Sequence, residues 1–199
     1  MTTAPHREPS DRGVELLERA LAYARGALAS IAPDDLSRTT PCTAWLLSDL
    51  LAHLEDSLDA FIEGATGIIS LRRTQPTPPT HRVASVQAKA CELLGAWTWR
   101  PAAVAHDDAA DDDAVTIGGQ RLPVDTIAHL AALEITVHGW DVACSTGYDA
   151  PPPAALADRL LATALTAALE QGKEFAPPRP VSVDADPATR LLALVGRTR

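Results

Sequence analysis

The amino-acid sequence predicts an all-α protein. Its 199 residues are 46% hydrophobic and rich in alanine and leucine, whereas only two phenylalanines and two tyrosines are available for strands. Alanine and leucine favour helices, and aromatic and β-branched residues favour strands. Apolar residues also recur at helical spacing in successive segments. A chain of this length can bury one core, so we expect one domain over residues 1–199, with residues 1–10 as a flexible tail.

The first half of the chain predicts three helices. Apolar residues at helical spacing define the first helix over residues 10–32, and a Pro-Asp-Asp group ends it in a loop. The second helix follows Trp45 and continues to about Gly64. Thr80 is placed to cap the third helix, which extends through Trp97.

The second half predicts a hairpin and three more helices. Residues 100–113 form an irregular acidic connection, and residues 115–122 are typical of a hairpin with a glycine turn, the only β structure expected. The fourth and longest helix begins at Pro123 and ends at Gly147, since proline favours the first helical turn and glycine the end. A fifth helix follows a proline triplet and ends near residue 172, and a short sixth helix covers residues 191–195.

Charge and cysteine content limit the classes of partner and compartment. The formal net charge of −9 argues against nucleic acid or an anionic membrane surface as the main partner. No signal peptide and no membrane-spanning apolar run is expected. The three cysteines, Cys42, Cys91 and Cys144, are widely spaced and have no CxxC pairing, so we interpret them as free thiols of a reducing cytoplasm.

The fourth helix carries the residues with the clearest chemistry. At about 100° per residue, Glu134, His138 and Asp141 fall within roughly a 60° arc that continues an apolar stripe. A carboxylate and an imidazole are costly to bury unless they are paired or bind a metal. By itself the pattern leaves two interpretations open, a solvated Glu–His pair on a helix face or a metal site.

Three motifs resemble a known family. They are Thr40-Pro-Cys-Thr-Ala-Trp45 with Asp49-Leu-Leu-Ala-His53-Leu, then Glu134-x-x-x-His138-Gly-Trp-Asp141, and finally Arg190-Leu-Leu-Ala-Leu-Val-Gly-Arg197. The chain is similar in these to the DinB/YfiT-like metal-binding superfamily, and specifically to the N-terminal domain of mycothiol-dependent maleylpyruvate isomerase. The resemblance extends from about residue 12 to the C-terminus. It implies a DinB-like four-helix bundle, here with a short β-hairpin and extra C-terminal helices.

The resemblance also implies a divalent metal ion held by His53, Glu134 and His138. His53 lies beside the apolar stripe of the second helix, so side chains of two helices can converge on one core site. Two histidines and one carboxylate leave a coordination position open, as in catalytic zinc sites. Zinc is the expected metal, with nickel or iron as alternatives. Cys144 and His129 point elsewhere on the same helix, and we expect His129 at the surface.

Asp141 is the candidate catalytic residue. Two interpretations remain open: it orients a ligand imidazole by accepting a hydrogen bond, or it is a helix-end carboxylate making an ordinary one. The function expected from the resemblance is a mycothiol- or other thiol-dependent transferase or isomerase acting on a small electrophilic substrate. The alternatives are a metal-dependent hydrolase in which Asp141 helps as base, and a non-catalytic metal-binding protein. A small-molecule substrate and a low-molecular-weight thiol are the expected partners, with a homodimer as an option and no nucleic acid or membrane.

Two features depart from the family pattern. Leu46 stands where relatives have a capping Thr or Asp, so the start of the second helix is expected to differ. The isomerase carries an additional C-terminal domain, and we expect none in this chain, so ring isomerisation of maleylpyruvate does not transfer directly.

Overall fold

The computed structural model describes residues 9–42, 45–70, 77–100, 114–169 and 175–198 and is mainly helical. The six α-helices of these ranges are α1 (Pro9–Ala29), α2 (Leu47–Gly64), α3 (Pro79–Thr98), α4 (Val124–Thr146), α5 (Ala154–Leu169) and α6 (Pro187–Leu194). The predicted all-α class is confirmed. Residues 9 and 10, assigned to the flexible tail from the sequence, begin α1, and residues 1–8 lie outside the described residues.

Helix α4 is the centre of the bundle. It packs along α1 and also contacts α2 and α5. From Ile135 to Ala143 every residue of α4 is buried, so it has no solvated face in this stretch. The contact with α1 is close because Gly139 has no side chain: a Cβ there would lie 3.2 Å from the Cα of Ala24. Polar groups on this part of α4 therefore have to find partners inside the protein.

A three-stranded sheet lies beside the bundle, with the order β1 (Ile68–Ile69), β2 (Ala114–Ile117) and β3 (Gln120–Pro123). Strands β2 and β3 form the predicted hairpin, and Gly118 and Gly119 both have positive φ at its turn, as a tight two-residue hairpin requires. The expectation that the hairpin is the only β structure is wrong, because β1 pairs in parallel with β2. A two-residue strand is too short to produce an alternating pattern in the sequence.

The structure differs from the predictions at several helix ends, and most clearly at α6, which begins at Pro187 and not at residue 191. Thr80 does not cap α3, because the helix already begins at Pro79. Residues Pro33–Ser37 form a short 3-10 helix where a loop was predicted. At α2, Leu46 has no capping side chain, but its backbone N–H donates to Oδ2 of Asp49 (3.0 Å), so a carboxylate in the first turn compensates for the missing cap. The predicted acidic connection lies outside the described residues over 101–113.

No helix in the described part of the chain is both long and apolar enough to cross a membrane.

Candidate metal centre

Helices α2 and α4 bring His53, Glu134 and His138 together. Each residue offers one ligand atom, and these atoms all lie within 4.8 Å of one another. Glu134 and His138 are one turn apart on α4, and His53 reaches them from α2 because Leu50 and Leu54, on either side of it, are buried in the same core. Among the described residues this is the one group of three or more His, Cys, Asp or Glu side chains with metal-ligating spacing.

One oxygen of Glu134 is the meeting point of the cluster. Glu134 Oε1 lies 2.6 Å from Nε2 of His53 and 3.3 Å from Nε2 of His138, and the Ser57 hydroxyl donates to it at 3.3 Å. The His138 side chain is 1% exposed, that of Glu134 13% and that of His53 32%. The centre is therefore closed on the α4 side and reaches solvent beside His53.

His138 presents Nε2 to the cluster. Its Nδ1 lies 2.9 Å from Oδ2 of Asp141, and because an ionised carboxylate only accepts, Nδ1–H is the donor. Nε2 is buried and has no hydrogen-bond partner among the described residues: its contact with Glu134 is close, but the geometry is not that of a hydrogen bond. A buried ring nitrogen without a partner is uncommon, and it is aimed at His53 and Glu134.

Asp141 lies behind His138 and is held by an arginine from the C-terminal segment. Arg197 donates from Nη2 to Asp141 Oδ2 (2.8 Å) and from Nε to Asp141 Oδ1 (3.3 Å). Both residues are buried, with Asp141 fully inaccessible. Such bidentate pairs have a defined geometry, so Arg197 orients Asp141 and Asp141 orients His138. The fixed direction of these bonds favours the interpretation of Asp141 as the acceptor that orients the imidazole.

The cluster has strongly perturbed pKa values. Burial would raise the pKa of Glu134, but the imidazoles of His138 and His53 outweigh it and hold this pKa well below its usual range. Burial would lower the pKa of His138, yet the carboxylates of Glu134 and Asp141 raise it to about 9. For Asp141 burial is again outweighed, here by His138 and Arg197, and its pKa is lowered. The arrangement thus attracts positive charge to the space between Glu134 and the two imidazoles.

Aromatic side chains border the centre. The ring of Trp45 lies 4.8 Å from that of His53, and the ring of Phe175 lies 6.2 Å from that of His138. The Arg197 guanidinium lies over the Phe175 ring, 5.6 Å from its centroid. Burial raises the pKa of the nearby Cys42 thiol. Trp45 is therefore one wall of the candidate metal centre.

Gly196 makes the position of Arg197 possible. It follows α6 in a left-handed conformation (φ 77°), and a Cβ there would lie 2.6 Å from that of Ala176. The chain turns back at this point, and Arg197 N–H donates to the carbonyl of Leu192. Only glycine fits both the backbone angle and the contact. The Gly-Arg pair of the third sequence motif thus directs a buried guanidinium to α4.

The residues predicted to lie away from the centre do so. His129 is on α4 but bonds the backbone oxygen of Asp125 in its own helix, and its side chain is 26% exposed. Cys144 is exposed near the end of the same helix. Arg197 and Phe175 were missed as site residues. Their spacing in the sequence does not distinguish them from ordinary packing residues. The one sequence feature that pointed to either residue was the position of Arg197 in a family motif.

Comparison with known proteins decides the family. The family model for the mycothiol maleylpyruvate isomerase N-terminal domain matches residues 17–143, which include all three clustered side chains. This chain belongs to that family. Uncharacterized proteins from two strains of Mycobacterium tuberculosis are 28% identical over 189 residues, covering 91% of this chain and 95% of theirs.

Solved structures agree on the fold. The crystal structure of the mycothiol-dependent maleylpyruvate isomerase superposes with a TM-score of 0.58 at 16% identity, covering 83% of this chain and 72% of that one. A histidine-to-alanine mutant of that enzyme gives a TM-score of 0.57, also at 16% identity, with 89% and 77% coverage. At this identity the superposition supports the predicted DinB-like bundle and nothing about activity.

Cys144 is expected to react slowly with iodoacetamide at neutral pH although the residue is exposed. Partial burial of its thiol, followed by the charges of Asp141 and Asp149, raises its pKa to about 11. Since only the thiolate reacts, its alkylation rate should rise about tenfold per pH unit between pH 7 and pH 10. Peptide mass spectrometry measures this rate in the native protein, and a rate independent of pH would contradict the prediction.

In denaturant without reductant all three cysteines should be alkylated, because all are free.

Proposed function

We propose that this protein binds one divalent metal ion, zinc in the simplest case, through His53, Glu134 and His138, and uses it in a thiol-dependent transfer or isomerisation of a small electrophilic substrate. The observation that carries the proposal is Nε2 of His138, which is buried, has no hydrogen-bond partner in the described part of the chain, and is directed at the Glu134 carboxylate and the His53 ring. A metal ion would satisfy this nitrogen and replace the positive charge that the carboxylates otherwise draw onto the imidazole.

The donor set supports a catalytic type of metal site. Two imidazoles and one carboxylate are typical zinc ligands, and three protein ligands leave room for a further one. The ligand atoms lie within 4.8 Å of one another. Small side-chain rotations would bring them to the separations of about 3.4 Å that a tetrahedral metal with bonds of about 2 Å requires. Nickel and iron use the same ligand types, so the donor set alone does not select zinc over them.

Family membership supports the proposal that the reaction depends on a thiol. The structural relative is named as mycothiol-dependent, and the family is that of its N-terminal domain. A divalent metal in such a site supplies the acidity that keeps a coordinating thiol deprotonated at neutral pH.

The surrounding residues have supporting roles in this proposal. Asp141 fixes the ring of His138, and Ser57 holds the Glu134 carboxylate. The rings of Trp45 and Phe175 limit the access of water from two sides, while the partly exposed His53 marks the side on which a small thiol and a substrate would enter. Asp141 has no exposed atom, so we assign it a positioning role rather than contact with substrate.

Cobalt substitution tests the proposal in two steps. The purified protein is expected to contain about one divalent metal ion per chain, and the cobalt-loaded protein should bind mycothiol or 2-mercaptoethanol with a new sulfur-to-cobalt charge-transfer band. A protein that binds no metal even after reconstitution with zinc, nickel or iron would contradict the site. If cobalt binds but thiols at millimolar concentration leave its spectrum unchanged, the thiol-dependent reaction is wrong, and hydrolysis becomes the better account.

A further inference from the structure

A cavity lies beside α2 and α4, on faces of these helices other than those that carry the candidate metal centre. It has a volume of about 620 Å³ and lies between α1 and α3, and we call it the α1–α3 groove. Its floor residues Leu54, Ile135 and Gly139 each directly follow one of the three clustered side chains in sequence. Neighbours on a helix point about 100° apart, so the groove and the metal centre use different faces of the same two helices.

The groove lies where α1 and α3 leave space between them. Helix α1 packs mainly on α4 and α3 mainly on α2, whereas α1 and α3 contact each other only in part. The lining also has small side chains on both helices, Ala22 and Ala24 on α1 and Ala90 on α3. Large apolar side chains line the rest of the space, among them Leu21, Leu28, Leu54, Leu58, Val86 and Leu94.

The groove is large, mostly apolar and partly open to solvent. A much smaller apolar cavity is already sufficient to bind benzene. Ligand sites typically have volumes of about 300–1,000 Å³ with mostly apolar walls and few polar groups. The α1–α3 groove has these properties.

Two charged residues of α1 lie along the groove. Arg25 lies one helical turn from both Leu21 and Leu28, so a ligand whose polar end binds Arg25 has apolar side chains next to the rest of it. Glu18 lies at the end of the lining. Neither residue has a hydrogen bond or an ion pair in the described part of the chain, so the Arg25 guanidinium is available to a ligand. A guanidinium binds a carboxylate with two parallel hydrogen bonds.

We propose that the α1–α3 groove binds an amphiphilic monocarboxylate, with its aliphatic chain among the leucines and its carboxylate on Arg25. The lining on α1 extends from Glu18 to Leu28, about 15 Å at the helical rise, which suits a medium-length aliphatic chain. This binding is separate from the proposed metal chemistry and does not depend on it.

Calorimetric titration of the full-length protein with decanoate, and with decanol as the uncharged counterpart, tests the proposal. Decanoate is expected to bind the wild type, and Arg25→Gln should weaken decanoate binding on the order of tenfold while leaving decanol unchanged. Ala90→Leu adds three carbon atoms to the groove wall and should weaken binding of both ligands without lowering the melting temperature. Ala88→Leu, an exposed position on α3 outside the lining, is the matched control and should bind as the wild type does.

Three results would overturn the proposal. They are no decanoate binding to the wild type at millimolar concentration, equal decanoate binding by Arg25→Gln, and undiminished binding by a folded Ala90→Leu protein. The last result would also reveal decanoate held at the metal centre, which this substitution does not touch. If Ala90→Leu fails to fold, Ala22→Leu at the groove mouth replaces it with the same expectation.

Discussion

His138→Ala is expected to abolish tight metal binding, and Glu134→Gln to weaken it on the order of tenfold or more. The alanine variant removes a neutral nitrogen donor and leaves two ligands. Glu134→Gln keeps the volume nearly constant but removes the negative charge that attracts the cation, and Glu134 Oε1 lies between both imidazole nitrogens. Competition titration against a chromophoric chelator measures the affinity, and elemental analysis gives the metal content. His53→Ala should resemble His138→Ala.

The matched control is His129→Ala. His129 is on the same helix, but its ring bonds the backbone of Asp125 and points away from the cluster. Its replacement should leave the metal content unchanged. If the His138→Ala protein kept the metal affinity of the wild type, the metal would have to bind at another site.

Arg197→Gln is expected to lower the free energy of unfolding by about 3 kcal/mol, because it leaves the buried Asp141 carboxylate without its main partner. Asp141→Asn leaves the buried guanidinium unpaired, with a loss of similar size. Both residues are nearly inaccessible, so solvent cannot replace the lost contact. Chemical denaturation measures the change. Arg159→Gln, a partly exposed arginine whose closest partner is a backbone oxygen at 3.2 Å, should change stability by about 0.5 kcal/mol or less.

The zinc affinity of variants at Asp141 and Arg197 shows whether Asp141 positions His138 or only stabilises the fold. If Asp141 orients His138, a folded Asp141→Asn protein should bind zinc about 10- to 100-fold more weakly, because the amide holds the imidazole less firmly in the required tautomer. Arg197→Lys should recover part of the stability but not the paired hydrogen bonds, since an ammonium cannot bind both carboxylate oxygens in the same plane. Wild-type zinc affinity in folded Asp141→Asn would contradict the positioning role.

Local patterns in the sequence were sufficient to predict the helices, and sequence motifs were sufficient to predict which residues form the candidate metal centre. The spacing of apolar residues placed α2, α4 and α5 within a few residues, because a helix that packs on a core must repeat its apolar side chains every three to four positions. Proline and glycine marked their ends, as at Gly147, which has positive φ after α4. The metal ligands were predicted from motif resemblance, since a Glu and a His one turn apart are equally compatible with a solvated surface.

The tertiary structure decided which of these residues meet and what lies between the helices. The contact of Arg197 with Asp141 joins positions 56 residues apart, and no local pattern records such a distance. Pairing of β1 with β2 likewise depends on where α2 ends relative to the hairpin. The α1–α3 groove depends on the distance between two helices that each have apolar residues, and neither helix records that distance in its own sequence. The sequence determines which faces are apolar, but side-chain volumes and helix packing determine whether those faces close on each other.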